Sequence, residues 1–358
     1  MTVIPTVQIG QILHSIVAAA FSGSMLLSLL IGPTSGPAAD YPQTEISNGQ
    51  ITAKLYLPDA RNGYYRSTRF DWSGAVYSLV YEGHEFYGVW YDRIDPDVVN
   101  WVFQGSEIVS GPCSALAGPV NEFETPLGWD EAQPGGTFIK LGVGVLRRGD
   151  GRYNRFVHYD VVDPGKWTVK KGKDSVEFTQ ELSAPDLGWA YMYRKVVRLE
   201  QGKPVLVIEH GMKNTGKRAI NGNVYNHHFM VMDRQPPGPD FTVRVPFEIK
   251  ATRLPAEELA EVRGNEIVYR RPLAGQDEAI VLYQGFSDSA RDHQVIIENR
   301  KTGTGVRIVG DRPLIRSMLW SIRTVLAVEP YIAVNIQPGE ELTWRDTIEY
   351  YTLPPGSK

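Results

Sequence analysis

The residues best suited to chemistry lie in one stretch, residues 214–230, which reads N-T-G-K-R-A-I-N-G-N-V-Y-N-H-H-F-M. His227 and His228 are adjacent, preceded by Asn226 and followed by Phe229. On a pleated strand successive side chains point to opposite faces, so only one of the two imidazoles can face a given cavity. Tyr225 and Phe229 then share the face of His227, and Asn226 shares that of His228. Such a pair either packs in the core with its hydrogen bonds satisfied or presents one ring to a site. A second candidate is the run Asn121-Glu122-Phe123-Glu124, which either supplies an acid pair for glycoside hydrolysis, a reaction that needs two carboxyls across a sugar, or is a solvated strand pair. Other chemistries lack their signatures. There is no G-x-S-x-G for a serine hydrolase, and no G-x-G-x-x-G or P-loop for a nucleotide. One cysteine, Cys113, allows no internal disulfide and no cysteine-rich metal centre. No spacing compels a metal site from His158, His227 and His228, and neither metal nor cofactor is expected.

The elements that must position these residues read as short strands. Period-two or short apolar runs cover 51–57, 75–81, 176–182, 190–199, 205–212, 242–249, 266–269, 279–283, 294–298, 306–309 and 333–336. Asn48-Gly49, Asn62-Gly63, Glu82-Gly83, Asn221-Gly222 and Pro338-Gly339 supply turns between them. Helix signals are confined to 255–261, with a proline in the first turn, and a weaker stretch at 313–322. The 35 glycines and 24 prolines, with strands every 10 to 15 residues, predict an all-β sandwich or barrel with few short helices. No fixed repeat suggests a propeller. The Pro-rich segment 234–240 is expected to be a long loop inside one domain spanning 40–358.

The chain has 358 residues, 42% of them hydrophobic, and 37 Lys and Arg against 41 Asp and Glu, a net charge of −4. This mild acidity argues against a nucleic-acid partner. Residues 9–31 are nearly all apolar or small and end in Gly32, Pro33 and the small-residue run 35–39, although no Lys or Arg precedes Lys54. Residues 1–39 are therefore expected to be a signal peptide or N-terminal anchor. A cleaved signal leaves no stable membrane insertion and a periplasmic or secreted protein.

Asn226-His227-His228-Phe229 after an N-T-G turn resembles the Asn-His-x-Tyr/Phe segment of the galactose mutarotase (aldose 1-epimerase) superfamily. Leu326-Ala327-Val328-Glu329-Pro330, followed by Ile336-Gln337-Pro338-Gly339-Glu340-Glu341-Leu342-Thr343-Trp344, is similar to that family's catalytic-glutamate strand and closing hairpin. Tyr77-Ser78-Leu79-Val80-Tyr81-Glu82-Gly83-His84-Glu85 resembles an early strand and hairpin, so the likeness spans about 48–352. It implies a large antiparallel β-supersandwich with a sugar groove on one face. It also implies that His227 donates a proton to the ring oxygen while Glu329 takes the anomeric hydroxyl proton. The two are then expected within about 6 to 7 Å, flanking one ring. An imidazole near its ordinary pKa of about 6.5, with a desolvated carboxyl raised from about 4.3, suits that exchange. The family's Leu-His-Gly-Gly histidine and Asp-x-Arg segment have no counterpart, which puts galactose or glucose in doubt as substrate. His158 either supplies the missing imidazole or lies on a surface strand. Arg69, with Arg66 beside it, sits where the family places a substrate-contacting arginine, suited to vicinal hydroxyls or a uronic carboxylate. Its alternative is an ion pair with Asp71 or Glu82. The resulting expectation is a sugar isomerase with His227 and Glu329 catalytic and Arg69, Asn226, His228 and His158 contacting substrate. The alternatives are a non-catalytic carbohydrate-binding protein, or a polysaccharide lyase or glycoside hydrolase on the same fold.

Overall fold

In the computed structural model of the protein, residues 41–354 are described. The expected address segment 1–39 lies outside them. Two antiparallel sheets dominate. The larger has ten strands, running in spatial order from Lys166–Lys171 through Ser175–Ala184, Trp189–Leu199, Val205–Asn214, Glu341–Thr352, Thr304–Gly310, Gln294–Asn299, Phe241–Arg244 and Glu266–Tyr269 to Ala260–Arg263. The other has six, in the order Lys250–Arg253, Glu278–Gln284, Arg316–Ile322, Val325–Ile336, Ile220–Met230 and Gly118–Phe123. This is the supersandwich expected. A four-stranded sheet, Gln43–Ser47 to His84–Tyr87, and two three-stranded sheets complete it.

Local chemistry explains the joins. Between Ala75–Tyr81 and His84–Tyr87, Glu82 (φ 49°) and Gly83 (φ 82°) both take positive φ. That is the two-residue turn whose twist matches the flanking strands. Asn48 Oδ1 accepts from the amides of Gln50 and Ile51, closing the first hairpin.

The six-stranded sheet is covered on both faces. Leu326, Val328, Leu319 and Met230 point toward the ten-stranded sheet and join Leu206, Ile208 and Ile348 in the main core. On the opposite face Val325, Ala327, Trp320 and Phe229 form a second, aromatic cluster with Trp90 and Phe70. Double coverage explains why 313–322, which carries a weak helix signal, is instead the strand Arg316–Ile322. Apolar residues on both faces erase period two, and such a run looks the same in a buried helix or strand. The stretch 255–261 is likewise a turn running into the strand Ala260–Arg263. Helical structure among the described residues is limited to three short 3₁₀ turns, Pro185–Leu187, Met232–Arg234 and Ala290–Asp292. The expected strand at 242–249 is shortened to Phe241–Arg244, and Pro246 marks its limit.

Candidate active site

The site begins with strand register. Ile220–Met230 pairs antiparallel with Val325–Ile336, Tyr225 opposite Tyr331 and His228 opposite Val328. The same register sets His227 directly across from Glu329 and Asn226 across from Pro330, whose missing amide hydrogen interrupts the ladder there. Directly opposed residues on one face have Cβ atoms about 5 Å apart, so the two side chains must meet. His227 Nε2 lies 3.1 Å from Glu329 Oε1, with both groups buried. This is well inside the expected 6 to 7 Å. Tyr331 Oη donates to the other oxygen, Oε2, at 3.0 Å. The imidazole stacks on Phe229 at 3.7 Å and meets Phe70 edge-on, which fixes its plane. Its Nδ1 is buried with no hydrogen-bond partner among the described residues.

Behind the pair lies a buried charge cluster. Glu122, across from Tyr225 on Gly118–Phe123, receives Arg69 Nε at 2.9 Å, Lys140 Nζ at 3.3 Å and the Tyr225 hydroxyl. Arg155 stands 3.6 Å from it and bonds Glu124 at 2.7 Å. Arg69 also donates through Nη1 to Ser114 Oγ and through Nη2 to Tyr225 Oη. Burial pushes the Glu122 carboxyl up, but Lys140, Arg155 and Arg69 together outweigh it and hold it well below the carboxylate range. Charges of this cluster also act on His227 and Glu329. Burial disfavours the His227 imidazolium; Glu329 partly offsets this, Arg69 adds to it, and the net pKa is below the ordinary 6.5. Burial alone would raise Glu329, yet His227, Arg69 and Arg155 together hold it below its ordinary value. The carboxyl is thus not raised toward the imidazole, as its setting in the sequence suggests. Both groups titrate on the acidic side.

His227, Glu329, Arg69 and Arg155 line one open cleft of about 150 Å³. Trp90, Trp101, Trp320 and Phe156 supply apolar walls, and the Trp320 indole is fixed by Glu278 at 2.9 Å. That volume is below the roughly 300–1,000 Å³ of sites for drug-sized ligands and suits one small ring.

The structure brings together three of the six expected site residues, His227, Glu329 and Arg69. Asn226 and His228 point the other way, into the space between the two large sheets. There Asn226 Nδ2 bonds Asp346 Oδ2 at 3.1 Å, and neither His228 ring nitrogen has a partner among the described residues. The strand's alternation puts them there, on the face opposite His227. His158 lies in a different cavity, its Nδ1 3.0 Å from Ser67 Oγ. Arg69 pairs with Glu122 instead of Asp71 or Glu82. Glu122 is neither a solvated strand residue nor free for hydrolysis, since three cations claim it. Lys140, Arg155 and Tyr331 escaped sequence reasoning. A lysine inside the apolar run Thr137–Lys140 was the available signal for the first, because a lysine is almost never fully buried unless paired.

Fold and site together define an all-β supersandwich with a His–Glu pair at the end of an aromatic cleft. No protein-family model matches the chain, and no curated protein matches it by sequence. Solved structures do. The Slr1438 protein of Synechocystis sp. PCC 6803 aligns with a TM-score of 0.52 at 12% identity, over 88% of this chain and 97% of its own. A candidate aldose 1-epimerase of Escherichia coli K12 aligns at 0.50 and 10% identity, over 87% and 100%. A galactose mutarotase-like protein of Lactobacillus casei ATCC 334 aligns at 0.48 and 13% identity, over 86% and 100%. The fold is galactose mutarotase-like.

Proposed function

We propose that the protein is a sugar isomerase that interconverts the anomers of an aldose, with His227 as acid and Glu329 as base. The observation that carries this reading is their direct contact, 3.1 Å, facing a one-ring cleft. Opening a hemiacetal ring requires one proton to leave the anomeric hydroxyl and another to reach the ring oxygen. Both oxygens sit on the same carbon, so acid and base must stand side by side. A glycoside hydrolase instead needs two carboxyls about 5 Å or more apart. The working form is the imidazolium–carboxylate pair. Glu329 takes the hydroxyl proton, His227 Nε2–H gives its proton to the ring oxygen, and closure on the other face of the aldehyde reverses both transfers. The total proton count of the pair is unchanged. Tyr331 holds the carboxylate oxygen not in contact with His227, and Phe229 holds the imidazole plane.

The test is mutarotation followed by NMR or polarimetry across hexoses and uronic acids. Loss of at least about 10²-fold in His227→Ala and in Glu329→Gln is expected. Unchanged rates in both variants would sink the assignment, and sugar binding without turnover in the parent would make the protein a carbohydrate-binding one. We also propose that residues 1–39 direct export, leaving 40–358 as the mature domain. N-terminal sequencing of the secreted or periplasmic form tests this.

A further inference from the structure

A second cavity is larger than the cleft. It measures about 780 Å³, some five times the cleft volume, and is lined by Tyr64, Tyr65 and Trp72 together with Arg66, His158 and Asp160. Its size falls within the range of sites that enclose small organic ligands. Tyr64 is stacked on Tyr56 at 4.1 Å, and Tyr56 on Tyr77 at 4.1 Å, so a ladder of half-buried rings runs out from the cavity.

The polar groups each keep bonding capacity that the described residues do not use. Among the described residues, the Arg66 guanidinium makes one bond, Nη1 to the Arg61 carbonyl at 2.8 Å, and pairs with no carboxylate. The Asp160 carboxylate has no ion-pair or hydrogen-bond partner among the described residues. Both act on His158 electrostatically, Asp160 favouring and Arg66 opposing its charged form, so the three stand close without bonding one another. Ser67 engages His158 Nδ1 and leaves the second ring nitrogen for another partner. One cation and one anion cancel, which disfavours a charged ligand. Flat apolar rings beside spaced donors and acceptors match the alternating C–H faces and hydroxyl edges of a saccharide.

The cavity also shares a wall with the cleft. Tyr65, Arg66 and Ser67 face it while Arg69 faces the cleft; Pro112 and Ala115 face it while Ser114 faces the cleft; His158 and Asp160 face it while Arg155 and Phe156 face the cleft. We propose that this cavity is a second carbohydrate site, taking a neutral di- or trisaccharide, set back to back with the cleft. The inference does not require the cleft to be catalytic.

The experiment is calorimetric titration of the purified protein with lactose, maltotriose and cellotriose, alongside saturation-transfer NMR. At least one should bind. Arg66→Gln, an exposed change that leaves the fold alone, and Tyr64→Ala should each weaken that binding at least 10-fold while leaving monosaccharide turnover unchanged. His227→Ala should leave it intact. Binding lost in His227→Ala but kept in Arg66→Gln would place the ligand in the cleft and overturn the proposal. So would absence of binding by all three sugars at about 10 mM, a concentration that nearly saturates even a site with a Kd of 1 mM. Because turnover is read separately, failure of the isomerase reading and failure of this one are distinguishable.

Discussion

Replacing His228 by leucine separates the two histidines of the tandem. His228 is fully buried between the large sheets, and burial, with His293 and His227 nearby, lowers its pKa to about 3. An unfolded histidine titrates near 6.5. Below pH 6.5 the unfolded chain therefore takes up a proton here that the folded chain refuses until about pH 3. Stability should rise with pH across that window by about 1.4 kcal/mol per unit and be level above it. At pH 4.5 the two units below 6.5 amount to about 3 kcal/mol. Leucine is of similar volume and sacrifices no hydrogen bond, since neither ring nitrogen has a partner among the described residues. His228→Leu should lie within about 1.5 kcal/mol of the parent at pH 7.5, and the gap should shift by about 3 kcal/mol in its favour at pH 4.5. Urea unfolding followed by tryptophan fluorescence at the two pH values measures this, and the monosaccharide KM should not move. A gap between parent and variant that is the same at both pH values would refute the linkage argument. A KM raised 10-fold or more would restore His228 to the substrate, where its sequence setting suggests it.

The activity profile should be bell-shaped and centred below pH 6.5, because the imidazolium is lost with His227 on the basic side and the carboxylate with Glu329 on the acidic side, both held below their ordinary values; an optimum at pH 7.5 or above would contradict the assigned roles. Arg69→Gln removes a cation that lowers both groups, so the whole profile should move to higher pH, while stability falls by about 3–5 kcal/mol because a buried ion pair loses one partner; pH–rate curves and urea unfolding separate the two effects. Gly118 has φ +75°, and an added Cβ would lie 1.5 Å from the Val76 carbonyl oxygen, so Gly118→Ala should cost more than about 4 kcal/mol. Gly49→Ala, also at positive φ but with open space around it, should cost only about 1 kcal/mol, and urea unfolding of both compares clash with strain.

Sequence legibility followed solvent exposure. Strands with one covered face, such as Ile51–Tyr56 and Ser175–Ala184, alternate cleanly, and the pattern marks their ends to within two residues. Strands of the six-stranded sheet are covered twice, and Arg316–Ile322 and the first eight residues of Val325–Ile336 carry no period to read. For the tandem histidines, alternation dictates that they part company and groups Asn226 with His228. It does not say which face meets the cleft, because both faces are buried. The arginine segment poses the same difficulty on a smaller scale, since Arg66 and Arg69 are three residues apart and line different cavities.

What lay beyond reach was the partner list of each charge. A carboxylate such as Glu122 carries no mark of the lysine 18 residues away and the arginine 53 residues away that neutralise it. That cluster nevertheless adds to what burial and mutual contact do to His227 and Glu329. Arg69 disfavours the His227 cation and Glu122 favours it, while Arg69 and Arg155 both favour the Glu329 carboxylate, across a water-poor interior where charges are weakly screened. Desolvation by itself would move the two pKa values toward each other, the imidazole down and the carboxyl up, and collapse the ion pair into a neutral one. The contact with His227, and after it Arg69 and Arg155, outweigh burial and hold the carboxyl below its ordinary value, which favours the carboxylate form of Glu329. In the proposed mechanism, Arg69 and Arg155 help to keep Glu329 in the carboxylate form that a base needs.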